Sequence, residues 1–119
     1  MPHAVTLYHN PRCSKSREAL KLLEDNKITL TIINYLDSPP DIDTLNHIIE
    51  MLAINDPRDL MRRHETVYKE NRLDNPTLSK THLIQTMVNF PCLIERPIVI
   101  ANGKAIIGRP PKKVLDIVL

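Results

Sequence analysis

Residues 5–36 of this 119-residue chain spell out a strand, a helix and a second strand in close succession, and few folds begin that way. Val5-Thr6-Leu7-Tyr8-His9 is a short β-type run broken by Asn10-Pro11. Ala19, Leu20, Leu22 and Leu23 then form one apolar stripe at helical spacing, with Glu24, Asp25 and Lys27 outside it. Asn26 is placed to end that helix as a left-handed cap. Ile28 to Leu36, rich in Ile and Thr, reads as the second strand. A strand–helix–strand unit of about 30 residues predicts a right-handed crossover joining two parallel strands.

The remainder completes the pattern. Asp37-Ser38-Pro39-Pro40 is a hard break, after which Leu45, Ile48, Ile49 and Leu52 keep the i, i+3, i+4, i+7 spacing of an amphipathic helix. Asp56-Pro57 starts a short helix, expected to run to about Arg63, with Asp as cap and Pro in the first turn. A helical turn is expected around Val67 to Glu70. Ser79 can cap a further helix whose Leu83, Ile84, Met87 and Val88 face inward. The region from Pro39 to Pro91 is therefore predicted to be all-helical. Ile98-Val99-Ile100 and Lys104-Ala105-Ile106-Ile107 flank Asn102-Gly103, the strongest short hairpin signal, because a type I′ turn needs positive φ at both central residues. Gly108-Arg109-Pro110-Pro111 opens a last helix carrying Val114, Leu115 and Val118. The order βαβ, helices, ββα is that of a thioredoxin-like α/β fold, with a four-stranded mixed sheet and a helical insert over about 39–91 between the halves. With no internal repeat and no linker, one domain over residues 1–119 is expected, a length that can close a single core.

Charge and cysteine usage exclude several function classes. Sixteen basic residues against 14 acidic leave a net charge of +2, which gives no footprint for a nucleic-acid backbone. Three Tyr, one Phe and no Trp offer few rings to stack on bases. No stretch approaches the roughly 20 apolar residues that span a bilayer. Met1-Pro2-His3 leads into an apolar run too short for the apolar region of an export signal, so no signal peptide is expected. Cys13 and Cys92 stand far apart in unlike surroundings; a disulfide between them is allowed by count but unsupported by spacing. A cytoplasmic protein with reduced thiols is the resulting expectation.

The chemistry concentrates in His9-Asn10-Pro11-Arg12-Cys13-Ser14-Lys15-Ser16-Arg17, where a strand hands over to a helix N-terminus. Such a position supplies unpaired backbone N–H groups and roughly half a positive charge, which lower a thiol pKa and favour an anionic guest. Arg12, Lys15 and Arg17 add charge. Cys13 therefore reads as an activated nucleophile, against the alternative of a small buried hydrophobe. For Cys92, in the apolar Pro91-Cys92-Leu93-Ile94, the buried alternative is preferred. The spacing is C-x-x-S, not C-x-x-C, so Ser16 cannot close a disulfide with Cys13, although its hydroxyl can donate to the thiolate or its guest. An intermediate on Cys13 then needs an outside thiol, or failing that Cys92, to resolve it.

Tyr8-His9-Asn10-Pro11-x-Cys13-x-x-Ser16-Arg17 resembles the signature segment of the glutaredoxin-coupled arsenate reductases (ArsC-like), and specifically of their short, YfgD-type branch. Tyr35-Leu36 with Pro39-Pro40, Leu60-Met61-Arg62, Arg96-Pro97-Ile98-Val99 and Arg109-Pro110 resemble the family's other stretches in the same order. The resemblance implies an oxidoreductase in which Cys13 attacks arsenate while Arg62, Arg96 and Arg109 hold the oxyanion. Arginine suits that task, being always charged and presenting a planar fork of donors. The resemblance further implies a cis-proline at Pro97 beside the thiol, and glutathione as co-substrate with glutaredoxin as partner. His9, Asn10, Ser16 and Arg17 would be supporting residues. Read by residue type alone, Arg62 could sit on a solvated helix face, Arg109 could be a surface residue, and His9 could be a strand-end histidine bonded to backbone. His3, His47, His64 and His82 show no metal-ligand spacing, so no metal and no bound cofactor are expected. A monomer is expected.

Two other classes fit the same segment. The fold also resembles the Spx-type transcription regulators, protein-binding modules that dock on RNA polymerase, but those usually carry C-x-x-C as a redox switch. A monothiol, glutathione-linked reductase of another substrate is the third reading. An arginine-lined pocket would be surplus to its chemistry.

Overall fold

The computed structural model describes residues 4–119. The expectations resting on Met1-Pro2-His3, the absence of a signal peptide and one of the histidines, lie outside the described residues. The chain divides into two compact units, residues up to Ser38 together with Arg96–Leu119, and Pro39–Glu95.

The first unit is a four-stranded mixed sheet. β1 (Val5–His9) pairs in parallel with β2 (Leu30–Asn34) and antiparallel with β3 (Ile98–Ala101), which pairs antiparallel with β4 (Lys104–Ile107), in the order β2-β1-β3-β4. α1 (Ser14–Asp25) connects β1 to β2, as the strand–helix–strand spacing requires. Leu7, Ala19, Leu23, Val99 and Val114 are fully buried and form the centre of the core with Val5 and Ala101. Truncating a residue such as Leu23 to Ala would cost about 2–5 kcal/mol. The hairpin turn has Asn102 at φ 56° and Gly103 at φ 73°, the positive pair the dipeptide predicts.

Three boundaries depart from expectation. Asn26 is not the left-handed residue (φ −90°); Lys27 is, at φ 59°. α1 ends in a Schellman motif, in which Lys27 N–H donates to Glu24 O and Ile28 N–H to Leu23 O, and the Asn26 side chain caps Leu22 O. Ile28 is then packed against the core rather than starting the strand. β2 accordingly begins at Leu30, and it stops at Asn34, whose carbonyl accepts from both Asp37 and Ser38 N–H to close a tight turn. The last helix is a six-residue 3-10 turn, Pro111–Asp116, with Val114 buried and Leu115 and Val118 half-buried.

The second unit is helical, as periodicity predicts. α2 (Ile42–Leu52) is capped by the Asp41 side chain, which accepts from Thr44 N–H at 2.8 Å, and buries Leu45, Ile48 and Ile49. α3 spans Thr66–Glu70; α4 (Lys80–Asn89) is capped by Ser79 through His82 N–H and buries Leu83, Ile84 and Met87, with Val88 half-buried. The helix expected from Asp56-Pro57 to about Arg63 is instead a 3-10 turn over Pro57–Leu60. It stops because Met61 turns extended and forms an antiparallel bridge with Ile94, flanked by Arg62 N–H to Leu93 O and Glu95 N–H to Leu60 O. The unit is thus not purely helical. Among the described residues no helix is long and apolar enough to cross a membrane.

Candidate active site

Strand register alone gathers four loops at one end of the sheet. Tyr8 lies opposite both Ile33 and Ile98, and Ile98 lies opposite Ile107. The C-terminal ends of β1, β2 and β4 and the start of β3 therefore lie side by side. The segments that leave or enter the sheet there carry Cys13, Tyr35, Arg109 and Arg96.

The cysteine is delivered by a turn. Asn10 O accepts Cys13 N–H at 3.0 Å, and the Asn10 side-chain oxygen accepts Arg12 N–H at 3.0 Å, so buried Asn10 fixes the loop from both its groups. Exposed Arg17 pins the same loop by donating to Pro11 O at 3.0 Å. Cys13 then occupies the N-cap of α1 in extended conformation, half-buried, where a Ser or Asp oxygen would ordinarily cap the helix. The Ser16 and Lys15 N–H groups act on the sulfur without closing a conventional cap hydrogen bond. Partial burial by itself pushes the thiol pKa up. The Ser16 N–H, the hydrogen bond and charge of Arg96, and the Lys15 N–H outweigh it, and the Cys13 thiol is held below its ordinary range.

Two arginines, Arg96 and Arg109, act on that sulfur. Arg109 donates from Nη2 to Cys13 Sγ at 3.9 Å and from Nε to Arg96 O at 2.9 Å, so one guanidinium spans the loop and the thiol. Arg96 acts on Cys13 electrostatically, with Tyr35 nearby. Burial opposes its charge, but the thiolate and Tyr35 together keep it firmly protonated. The Arg96–Pro97 bond is cis, as the resemblance implies, and Arg109–Pro110 is cis as well. Gly108 makes the close approach of these two segments possible: its N–H donates to Pro97 O at 2.9 Å, and a Cβ there would sit 2.7 Å from Pro97 Cγ and 2.9 Å from Val114 Cγ1.

Two supporting residues act differently from expectation. The Ser16 side chain is fully buried and turned toward β1; its oxygen accepts Asn10 N–H at 3.1 Å and is bonded to His9 Nδ1 at 2.6 Å. Its backbone N–H, not its hydroxyl, serves the thiol, because the third residue of a capped helix aims its N–H at the cap while its side chain packs sideways. His9 is buried too, and burial first, then the Arg17 charge, lowers its pKa and keeps the ring neutral. It bears on the site through the Ser16 hydroxyl.

Arg62 belongs to the second unit. Its Nε donates to Glu65 Oε1 at 3.1 Å, its Nη1 lies 3.6 Å from Glu95 Oε1, and its Nη2 is bonded to His64 Nε2 at 3.0 Å. The side chain is 12% exposed. Arg62 is therefore not on a solvated helix face. Cys92 is half-buried in a 3-10 turn, Pro91–Leu93, of the same unit. No group of three potential metal ligands occurs among the described residues.

Tyr35, which the sequence shows only as part of a family-like stretch and without a role, lies at this end of the sheet too. It stands one residue past β2 and is 1% exposed. The signal was present in the topology: ligands of α/β sheets collect at the C-terminal ends of parallel strands, and Tyr35 is the polar-tipped residue at the end of the strand that parallels β1.

Residues 8–117 match the ArsC family. The chain is 52% identical to the uncharacterized protein YfgD of Escherichia coli strain K12 over 118 residues, 99% of each chain. It is 48% identical to an arsenate reductase of Neisseria meningitidis serogroup A over 106 residues, 89% of this chain and 91% of the relative. A solved arsenate reductase from Vibrio cholerae superposes with a TM-score of 0.96 at 45% identity, covering 98% of this chain and 99% of the other.

Proposed function

The chain belongs to the ArsC family, and from that premise we propose that it reduces arsenate to arsenite, with Cys13 as nucleophile, glutathione as co-substrate and glutaredoxin as protein partner. One observation carries the reading: a thiol held below its ordinary pKa at a helix N-terminus, with Arg96 and Arg109 directed at its sulfur.

In this reading the Cys13 thiolate bonds to arsenic(V), and one arsenate oxygen leaves as water after protonation. The arginine forks and first-turn N–H groups stabilise the charge on the remaining oxygens. Two electrons are needed to take arsenic(V) to arsenic(III). They come from two external thiols that end as one disulfide: glutathione attacks the adduct, glutaredoxin supplies the second thiol, and water releases arsenite and regenerates Cys13. The C-x-x-S spacing is the reason both thiols are external. Arg62 is taken as the third oxyanion arginine by its match to the family pattern alone. The assignment places the protein in the cytoplasm, where glutathione is abundant, and requires neither a metal nor a bound cofactor.

The test is arsenate-dependent NADPH oxidation in a coupled assay with glutathione, glutaredoxin and glutathione reductase. The parent should turn over and Cys13→Ser should lose activity to background. Full turnover by the serine variant, or none by a folded parent, overturns the proposal.

A further inference from the structure

We propose that a cavity beside α3, within the second unit, binds a small phosphomonoester with a hydroxylated body, a sugar phosphate in class. None of the residues lining that cavity takes part in the proposed chemistry of Cys13, so neither reading depends on the other.

The cavity has a volume of about 450 Å³ and is lined by Arg63, Tyr68, Lys69, Arg72, Asp74 and Asn75. The way α3 ends brings these residues together. Leu73 N–H donates to Tyr68 O at 3.1 Å and Arg72 N–H to Lys69 O at 3.2 Å, a Schellman motif with Arg72 in the left-handed position at φ 49°. Arg58 ties down the loop that follows by donating to Leu73 O and Asn75 O. Arg63 is fastened to Asp59. The lining is thus set by the protein's own bonds, and a ligand has little of it left to order.

Lys69 and Arg72 stand apart from the other cations of this unit. Arg58, Arg62 and Arg63 each pair with a carboxylate, whereas the Lys69 and Arg72 side chains make no hydrogen bond or ion pair among the described residues. Cations in the last turn of a helix ordinarily complement its carbonyls. Those of α3 already have donors: Val67 O accepts from Asn71 N–H and Nδ2, and Tyr68 O and Lys69 O accept the two bonds of the motif.

Tyr68 is the independent sign of a ligand. It is 7% exposed and lines the cavity, yet its hydroxyl has no hydrogen-bond partner among the described residues. A hydroxyl so enclosed is rarely left unbonded in a folded chain unless water or a ligand meets it. A phosphate head can accept from the phenol, the ammonium and the planar guanidinium fork together. It does not fill the space, because the volume falls within the roughly 300–1,000 Å³ of pockets for whole small molecules. The remaining lining suits hydroxyl groups. Asp74 accepts their protons and repels a polyanionic chain, and Asn75, whose Oδ1 is occupied by Thr77 N–H and Oγ1, keeps its amide donors.

The test is titration of the isotope-labelled full chain with ribose 5-phosphate, inorganic phosphate and ribose, followed through its amide NMR signals. Ribose 5-phosphate should move the signals of residues 63–75 saturably and bind about tenfold tighter than either fragment. Arg72→Gln and Lys69→Gln should each weaken binding by about tenfold, the size of one charge-assisted hydrogen bond. Tyr68→Phe should weaken it by about threefold without lowering Tm, since the hydroxyl it removes has no partner within the protein. Cys13→Ser should bind as the parent does. Shifts confined to residues 10–17, no saturable shift in residues 63–75, or equal affinity for inorganic phosphate and the ester would each overturn the proposal. So would binding indifferent to both Arg72→Gln and Lys69→Gln, or a fall in Tm for Tyr68→Phe at unchanged affinity.

Discussion

In the second unit Arg62 reaches two carboxylates, Glu65 at 3.1 Å and Glu95 at 3.6 Å, whereas in the first Arg96 and Arg109 are directed at a sulfur. Arg58 and Arg63 of the second unit follow Arg62, pairing with Asp56 and Asp59. The difference lies in what each guanidinium does with its charge. Against a carboxylate, the charge is cancelled and the geometry of the fork fixes a loop: Arg58, for instance, ties down the segment at Leu73 and Asn75 through their carbonyls. Against a thiol, which is neutral unless something makes ionisation favourable, the same charge shifts a protonation equilibrium. The partner decides whether an arginine is a fastener or an electrostatic tool.

The largest test of that contrast is Arg62→Gln. It leaves Glu65 and Glu95, both largely buried, without their shared cation, and should cost about 2 kcal/mol, less than a fully buried pair would. Chemical denaturation would read this directly. The alkylation profile of Cys13 should stay where it was, since the groups that lower its pKa are Ser16, Arg96 and Lys15. Arg96→Gln should do the reverse, slowing Cys13 alkylation near neutral pH by about tenfold, a factor equivalent to about 1.4 kcal/mol, while the denaturation midpoint moves less than for Arg62→Gln. Exchange of these two outcomes, with Arg62 governing the thiol and Arg96 governing stability, would dissolve the distinction.

The same contrast explains what could be read from the sequence. The parallel pair, the hairpin and the N-cap position of Cys13 were legible because each depends on local pattern: apolar period, an Asn-Gly turn, an Asn-Pro break before a helix. The adjacency of Arg96 and Arg109 follows from the hairpin, since they flank strands whose register places Ile98 opposite Ile107. What escaped depends on packing at a distance. Lys27 rather than Asn26 turns left-handed because Ile28 has to reach the core. Glu95 meets Arg62 only because Met61 bridges Ile94, a pairing that no periodicity announces. Ser16 looked like a donor to the thiolate from its C-x-x-S position, yet its hydroxyl belongs to His9 and Asn10 N–H, a partnership set by where β1 ends.

That partnership carries the smallest of the expected effects, and it tests the boundary between the two kinds of residue. His9 is neutral and buried, its pKa lowered by burial and then by Arg17. A group whose pKa is depressed on folding contributes stability that is fully present above its unfolded value of 6.5 and is lost as pH falls through the lower folded value. The parent should therefore lose Tm below pH 6.5 more steeply than His9→Gln, which retains a side chain able to bond Ser16 but has nothing to protonate. Above pH 7 the two curves should run parallel, and the loss should be smaller than that caused by Arg62→Gln. Protonation of His9 places a cation behind the first turn of α1 and makes both ring nitrogens donors, so that the Ser16 hydroxyl must accept at Nδ1. Equal slopes would remove the shift, and a shallower loss in the parent than in the variant would mean that folding favours the protonated ring. His9 would then count among the cations of the Cys13 site, not as its neutral support.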